Sequence, residues 1–290
     1  MQKEPSYLST IRSDNLKKRI ITALLIYPLI VFIVLFSNEV VIRLFLNIII
    51  FLSAFEISKM CFYNNNYENG NGKHYYFIGF IFISILISNI LIKNNIWHLL
   101  IIPSIGMWLL IFVYIMRIKL VAIIEKFNLF YFCLYILALS SLYCSLYTIY
   151  LYSPKALLYL VSIVAISDIS AFFIGKRYGS KPFFNNISPN KTREGFVGSL
   201  VVCLIFAFIY CVIENYNFYY SAKILAITFI IVPMSAVGDL SISLIKRKSG
   251  NKDSGNILPG HGGILDRVDS LLPAAPIFLI FSYSLSAIIQ

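Results

Sequence analysis

The chain alternates between long apolar segments and short polar connections. A helix needs about 20 apolar residues to cross a hydrocarbon core of roughly 30 Å. Nine segments meet this requirement, at residues 20–36, 40–58, 75–92, 97–116, 129–151, 156–174, 196–213, 224–245 and 271–289. The first is interpreted as an anchor rather than a cleaved signal peptide, because it is long and no A-x-A-like site follows it. The pattern predicts an all-α polytopic membrane protein with about nine transmembrane helices.

Composition agrees with this class. Hydrophobic residues make up 59% of the 290 residues, charged residues only 13%, and the mean hydropathy is +0.81. A soluble domain carries roughly 25% charged residues, so this apolar excess is best solvated by lipid. The five Cys all lie within or at the ends of apolar segments, and no CxxC spacing is present. This excludes a secreted disulfide framework and a cysteine-ligated metal site.

The basic residues lie on alternate connections. From the N-terminal tail onward the connections carry 5, 0, 2, 1, 3, 1, 5, 1 and 5 Lys and Arg, and the C-terminal tail carries none. Alternate connections thus hold 20 against 3, and the remaining one, Arg43, lies inside the second segment. The positive-inside rule places the N-terminus in the cytosol and the C-terminus on the opposite side. Membrane orientation therefore explains the net charge of +11 better than nucleic-acid binding does.

Two regions are predicted from this organisation. Residues 1–151 would form an N-terminal scaffold of five spans. Residues 152–290 would form a catalytic region of four spans with cytosolic loops at 175–195 and 246–270. These two loops are long and rich in Gly, Pro, Lys, Ser and Asp.

Acidic residues concentrate in the second region, which contains five of the six Asp. Asp168 and Asp239 are expected about 10–12 Å inside the cytosolic ends of their helices. A carboxylate at the centre of a membrane helix costs about 2.5–3.5 kcal/mol, so two at one depth indicate a shared charged cavity. The alternative is that each Asp pairs with a Lys or Arg and only fixes helix packing. Glu56 is interpreted as a solvated carboxylate at a helix end.

The densest polar pattern lies at 243–269, hereafter the 243–269 segment. It combines basic residues, a Gly-rich turn at 259–263 and several Asp. Basic side chains and backbone N–H groups bind phosphate oxygens, and Mg²⁺ prefers one or two carboxylates together with substrate phosphates. The pattern therefore suits a nucleoside triphosphate with its metal, although neither a Walker A sequence nor a GxGxxG occurs. Asp266 and Asp269 have an alternative role as N-caps of the last span.

This segment resembles the signature of the phosphatidate cytidylyltransferase (CDP-diacylglycerol synthase) family. The matching positions are Ser243, Lys246-Arg247, Lys252-Asp253, His261-Gly262-Gly263 and Asp266-Arg267-Val268-Asp269. Two upstream motifs, at 168–176 and 188–195, also look like family motifs, so the similarity covers about the C-terminal 125 residues. Phe172 stands where the family usually has Tyr, and Arg193 where it commonly has Trp.

The resemblance implies transfer of a cytidylyl group from CTP to phosphatidic acid. It implies that Asp239 and Asp266 hold Mg²⁺, with a second cation as an option. The other catalytic residues it implies are Lys246, Lys252, His261, Arg267 and Asp269. The substrate-binding residues it implies are Asp168, Ser188, Lys191, Thr192, Ser243, Arg247, Asp253, Gly262 and Gly263.

The remaining expectations concern partners and location. The resemblance implies a homodimer in a bacterial-type inner (cytoplasmic) membrane, in contact with membrane lipid, with the active site facing the cytosol and no nucleic-acid partner. The rival from another class is a secondary transporter, since paired intramembrane carboxylates also serve as ion sites. A CDP-alcohol phosphatidyltransferase is a further alternative, but its DGxxAR-type motif is absent.

Overall fold

The computed structural model describes residues 27–62, 71–117, 129–184, 188–250, 253–255 and 262–283. This part of the chain is mostly helical. Its helices are α1 (Tyr27–Phe36), α2 (Glu39–Phe62), α3 (Asn71–Lys93), α4 (His98–Arg117), α5 (Leu129–Tyr152), α6 (Pro154–Tyr178), α7 (Arg193–Ile213), α8 (Phe218–Lys248), α9 (Leu265–Val268) and α10 (Leu271–Tyr283). Two strands, β1 (Pro182–Phe184) and β2 (Ser188–Thr192), lie between α6 and α7.

Each predicted span coincides with a helix. Seven of the described helices, α2 to α8, are long and apolar enough to cross a membrane. The shorter helices α1 and α10 match the first and last predicted spans, whose outer residues, 20–26 and 284–289, lie outside the described residues. The predicted helical membrane architecture is therefore confirmed, and the chain is an integral membrane protein. Nine as the number of crossings stays a prediction.

Short polar sequences end one helix and start the next. Ser153 caps α6 by accepting a hydrogen bond from the N–H of Ala156, and Pro154 occupies the first helical turn. Asn95 and Asn215 adopt the left-handed conformation (φ 56° and 54°) just after α3 and α7. Asn tolerates this conformation better than most residues and ends helices there. These local signals explain why the sequence pattern located the turns correctly.

Helix α5 forms the centre of the bundle. Its candidate spanning stretch is 72% buried, more than that of any other long helix described. Ser hydroxyls join it to its neighbours, with Ser104 donating to Ser141 at 2.7 Å and Ser140 donating to Ser84 at 2.8 Å. Interhelical hydrogen bonds of this kind help hold membrane helices together where lipid removes most of the hydrophobic drive.

Helices α6 and α7 approach each other through glycine. A Cβ on Gly195 would lie 2.7 Å from the carbonyl oxygen of Ala171 and 3.1 Å from Cα of Gly175. Small residues on both helices therefore permit the close approach of α6 and α7.

The hairpin is a departure from the all-α prediction. β1 and β2 pair antiparallel, with Pro182 opposite Thr192 and Phe184 opposite Ser188. The predicted loop 175–195 thus contains the end of α6, the hairpin and the start of α7. Strands of three and five residues are too short to produce a recognisable alternation of apolar and polar positions.

The bundle has an aromatic end, defined by Trp97, Tyr152 and Tyr283. The Trp97 and Tyr283 rings lie 5.2 Å apart, and Tyr152 donates a hydrogen bond to Asn95 at 3.2 Å. Lys155 and Glu214 also pair across this end, at 3.5 Å. At this end of the bundle, the last turns of four helices meet the starts of two others: α3, α5, α7 and α10 end here, and α4 and α6 begin here. The described residues of the 243–269 segment lie at the opposite end.

Candidate functional site

Four Asp side chains gather at the end of the bundle opposite the aromatic end. Asp168 comes from α6, Asp239 from α8, Asp266 from α9, and Asp269 from the junction of α9 and α10. The charges of Asp168 and Asp239 act on each other, and both act on Asp269. Asp168 and Asp239 therefore lie close enough to interact, whereas the charged cavity predicted around them stays a prediction. We call these four residues the carboxylate cluster.

The hairpin supplies a cation to this cluster. Lys191, the penultimate residue of β2, forms an ion pair with Oδ2 of Asp239. Ser243, one helical turn further along α8, donates to Oδ1 of Asp239 at 3.3 Å. The Lys191 and Asp239 side chains remain 30% and 27% exposed, so an incoming ligand can reach both.

Asp266 lies deeper and has more partners. Lys246 donates to Oδ1 at 2.7 Å, and the backbone N–H groups of Ser254 and Gly263 donate to Oδ2 at 3.0 and 3.3 Å. Burial by itself would raise the pKa of Asp266, but the hydrogen bond and charge of Lys246 and the two N–H groups outweigh it and lower the pKa. The Lys246 bond joins α9 to α8, and Asp266 lies inside α9, so the interpretation of Asp266 as the N-cap of the last span is wrong.

Asp269 is the most enclosed acid of the carboxylate cluster. Its side chain is 6% exposed and accepts a hydrogen bond from the N–H of Ser270 at 2.7 Å. Ser270 in turn donates its hydroxyl to Asp168 at 3.3 Å. A Cβ on Gly238 would lie 2.2 Å from the carbonyl oxygen of Asp269, so glycine permits α8 to pack here. Burial, followed by the Asp239 and Asp168 charges, raises the pKa of Asp269 well above its ordinary value.

Glu56 is the residue that the sequence interpretation misplaced. It was expected in solvent at the end of α2, but it is 1% exposed. Its carboxylate accepts hydrogen bonds from Ser254 Oγ at 2.8 Å, from the N–H of Ile264 at 3.0 Å and from the N–H of Leu265 at 2.9 Å. The sequence contained no signal for this role, because its partners lie 198 to 209 residues further along the chain.

The other predicted site residues fall into three groups. Thr192 is the N-cap of α7 and accepts from the N–H of Gly195 at 3.1 Å, and Ser188 begins β2. Arg247, Asp253 and Arg267 are exposed, and the charge of Arg267 acts on Asp168. Lys252 and His261 lie outside the described residues.

Glycine is required at 262 and at 263 for different structural reasons. Gly262 has φ +77°, a backbone conformation that favours glycine. Gly263 leaves space for two neighbouring oxygens, since its Cβ would lie 2.0 Å from Ser254 Oγ. Both therefore shape the backbone that surrounds Asp266.

Within the described residues, no three His, Cys, Asp or Glu side chains form a group that could hold a metal ion by themselves. Mg²⁺ is commonly held by one or two carboxylates together with substrate phosphates. The cluster is thus compatible with a metal that arrives with a phosphate ligand.

Comparison with known proteins supplies the family. The chain is 38% identical over 130 residues to a phosphatidate cytidylyltransferase of Haemophilus influenzae, covering 44% of this chain and 45% of that protein. It is 42% identical over 134 residues to one of Bacillus subtilis (46% and 49% covered), and 38% identical over 154 residues to one of Staphylococcus saprophyticus (51% and 57% covered). The chain thus spans about half the length of the curated relatives it matches.

The sequence model of the cytidylyltransferase family matches residues 17–285, nearly the entire sequence. The chain belongs to the cytidylyltransferase family.

Proposed function

We propose that this protein makes CDP-diacylglycerol and pyrophosphate from CTP and phosphatidic acid. The observation that carries the proposal is the carboxylate cluster, held together with Lys191 and Lys246 at one end of a membrane bundle. The relatives named phosphatidate cytidylyltransferase support the choice of both substrates.

In the proposed reaction, a phosphate oxygen of phosphatidic acid attacks the α-phosphorus of CTP. The bond from that phosphorus to the bridging oxygen of the β-phosphate breaks, and pyrophosphate leaves. The attacking phosphate is already anionic at neutral pH, so catalysis depends mainly on alignment and on neutralising charge. Lys191 and Lys246 are positioned to donate to phosphate oxygens, and Arg267, Lys252 and His261 are proposed to join them.

The cluster has the donor chemistry that suits a divalent cation. In the described residues, four carboxylates lie near three cationic side chains, those of Lys191, Lys246 and Arg267. Carboxylate oxygens are hard ligands of the kind that Mg²⁺ prefers. Asp239 and Asp266 are the proposed ligands, with Asp269 and Asp168 beside them. When bound, Mg²⁺ would neutralise charge on the phosphates of CTP.

The same cluster supports an orientation in the membrane. The end of the bundle that carries Lys191, Asp239 and Asp266 also carries the described parts of the basic connections at 175–195 and 246–270, which the positive-inside rule assigns to the cytosol. We propose nine crossings, a cytosolic N-terminus, a C-terminus on the opposite side and location in a bacterial-type inner membrane. CTP then approaches from the cytosol while phosphatidic acid stays in the leaflet. A homodimer is proposed from the family resemblance.

The continuity of two helices favours an enzyme over a secondary transporter. Transporter ion sites are typically built from helices that are broken near the bilayer midplane. Asp168 lies inside the continuous 25-residue helix α6, and Asp239 inside the continuous 31-residue helix α8. Asp168 and Asp239 therefore lie on helices that are not broken at the carboxylates.

Conservative amide substitutions test the proposal. Purified wild-type protein in lipid nanodiscs should convert labelled CTP and phosphatidic acid to product only when Mg²⁺ is present. Asp239→Asn and Asp266→Asn should each lower kcat/KM by about 10²-fold or more, since each removes charge from the reacting centre. Glu214→Gln, at the aromatic end, serves as the control and should retain full activity. Normal activity in both Asp variants would refute the metal and active-site assignment.

A further inference from the structure

Glu56 is a buried acid that the proposed reaction does not use. It is 1% exposed near the end of α2. Burying a carboxylate is costly unless its oxygens accept hydrogen bonds. Here Oε2 accepts from Ser254 Oγ and the N–H of Leu265, and Oε1 accepts from the N–H of Ile264, all within 3.0 Å. Both oxygens therefore have hydrogen-bond partners.

The three donors come from two separate parts of the 243–269 segment. Ser254 precedes residues 256–261, and Ile264 and Leu265 follow them. One side chain from α2 thus joins residue 254 to residues 264 and 265. Three hydrogen bonds to one buried side chain reduce the conformational freedom of Ser254, Ile264 and Leu265 themselves.

Two glycines fit the backbone to this carboxylate. A Cβ on Gly263 would lie 2.2 Å from Oε2 of Glu56, and a Cβ on Gly255 would lie 2.7 Å from Oε1. Any larger residue would therefore displace the carboxylate. Gly263 of the signature therefore has a packing reason that is independent of phosphate binding.

The same turn holds Asp266. Ser254 donates its hydroxyl to Glu56 and its backbone N–H to Asp266. Gly263 donates its N–H to Asp266, and the next residue, Ile264, donates its N–H to Glu56. Neighbouring donors of one turn are thus divided between the two acids, so moving Glu56 moves the donors that orient Asp266.

We propose that Glu56 is a positioning residue that fixes the backbone at 254 and 263–265. This backbone orients Asp266 toward Lys246 and thereby determines the affinity of the site for CTP with its metal. This inference rests on the proposed function. Glu56 acts through the backbone at 254 and 263–265, and its hydrogen bonds do not involve the reacting groups themselves. It links α2, in the predicted N-terminal scaffold, to the 243–269 segment.

Glu56→Gln tests the inference by replacing one acceptor oxygen with an NH₂ group that faces N–H donors. The KM for CTP should rise about tenfold, the equivalent of about 1.4 kcal/mol, while the KM for phosphatidic acid stays unchanged. In hydrogen-exchange mass spectrometry of the nanodisc protein, peptides covering 254 and 263–265 should exchange about tenfold faster. Glu39→Gln is the matched control, because Glu39 is an exposed acid at the other end of the same helix.

Two further results keep the test decisive. Ser254→Ala removes only one of the three hydrogen bonds to Glu56. It should therefore raise the KM for CTP and the exchange rate by less than Glu56→Gln does. It also tests the inference if Glu56→Gln does not fold. A fall in kcat with unchanged KM for CTP and unchanged exchange would overturn the inference. If wild-type protein makes no product, the proposed function fails, whereas the exchange measurement still decides whether Glu56 holds the turn.

Discussion

Removing the ammonium group of Lys246, on α8, tests how strongly its pair with Asp266 fixes α9 to α8. The two side chains are only 14% and 12% exposed, and their charged atoms lie 2.7 Å apart. Breaking a buried pair by removing one partner costs about 3–5 kcal/mol, because the other charge is left uncompensated. Asp266 keeps two backbone N–H bonds, which reduce this penalty. We therefore expect Lys246→Met to lower the free energy of unfolding by about 3 kcal/mol.

A double-mutant cycle isolates the pair from these other contacts. The free energy of unfolding is measured in mixed detergent micelles for wild type, Lys246→Met, Asp266→Asn and the double variant. Residues in direct contact show coupling energies of about 0.5–3 kcal/mol, and the burial of this pair places the expected value near about 2 kcal/mol. A coupling energy below about 0.5 kcal/mol would refute the conclusion that the pair fixes α9 to α8.

The pH dependence gives an independent check. The pKa of Asp266 is lowered in the folded state, so its stabilising contribution is present above the unfolded pKa of about 3.9 and is lost as pH falls through the folded pKa. The stability difference between wild type and Asp266→Asn, which lacks the titrating group, should therefore stay constant from about pH 8 to pH 5. A difference that disappears already between pH 8 and pH 6 would contradict the lowered pKa.

Two other predictions concern the interior of the site. Gly263→Ala places a Cβ 2.2 Å from Oε2 of Glu56, so it should lower activity about tenfold or more and destabilise the protein by about 1–3 kcal/mol. Gly106→Ala is its control, because nothing lies within 4 Å of that Cβ, and equal effects in the two variants would contradict the packing argument. Asp269 has a raised folded pKa, so the folded state binds more protons than the unfolded state above about pH 4 and loses stability as pH rises. Asp269→Asn should therefore raise the Tm at pH 8 in EDTA relative to wild type, with little change at pH 4. A variant Tm below that of wild type at pH 8 would show instead that ionised Asp269 stabilises the fold.

Much of the architecture follows from local properties of the sequence. The length of each apolar segment is set by the thickness of the hydrocarbon core, and Ser153 and Pro154 favour the start of α6 at that point. Asp168 and Asp239 were expected to meet because burying either carboxylate alone in lipid is costly. Their mutual proximity in the structure confirms that expectation.

Other features depend on which distant residues the fold brings together. The hairpin and the pairing of Lys191 with Asp239 are absent from the sequence interpretation, since strands this short carry no periodic pattern. The N-cap alternative for Asp266 failed because its actual partners, Lys246 and the N–H of Ser254, lie earlier in the chain.

Glu56 shows the limit most clearly. From the sequence, an acid three residues before Lys59 at a helix end has the same surroundings as any solvated carboxylate. Only the tertiary structure places α2 against residues 254, 264 and 265, about 200 positions further along the chain, and gives the buried carboxylate three donors. The sequence alone determined that the protein is a helical membrane protein with one charged end, because hydrophobic length and charge are properties of each segment by itself. Tertiary packing decided which acid holds the turn around Asp266, because a hydrogen bond needs two groups that the chain brings together only on folding.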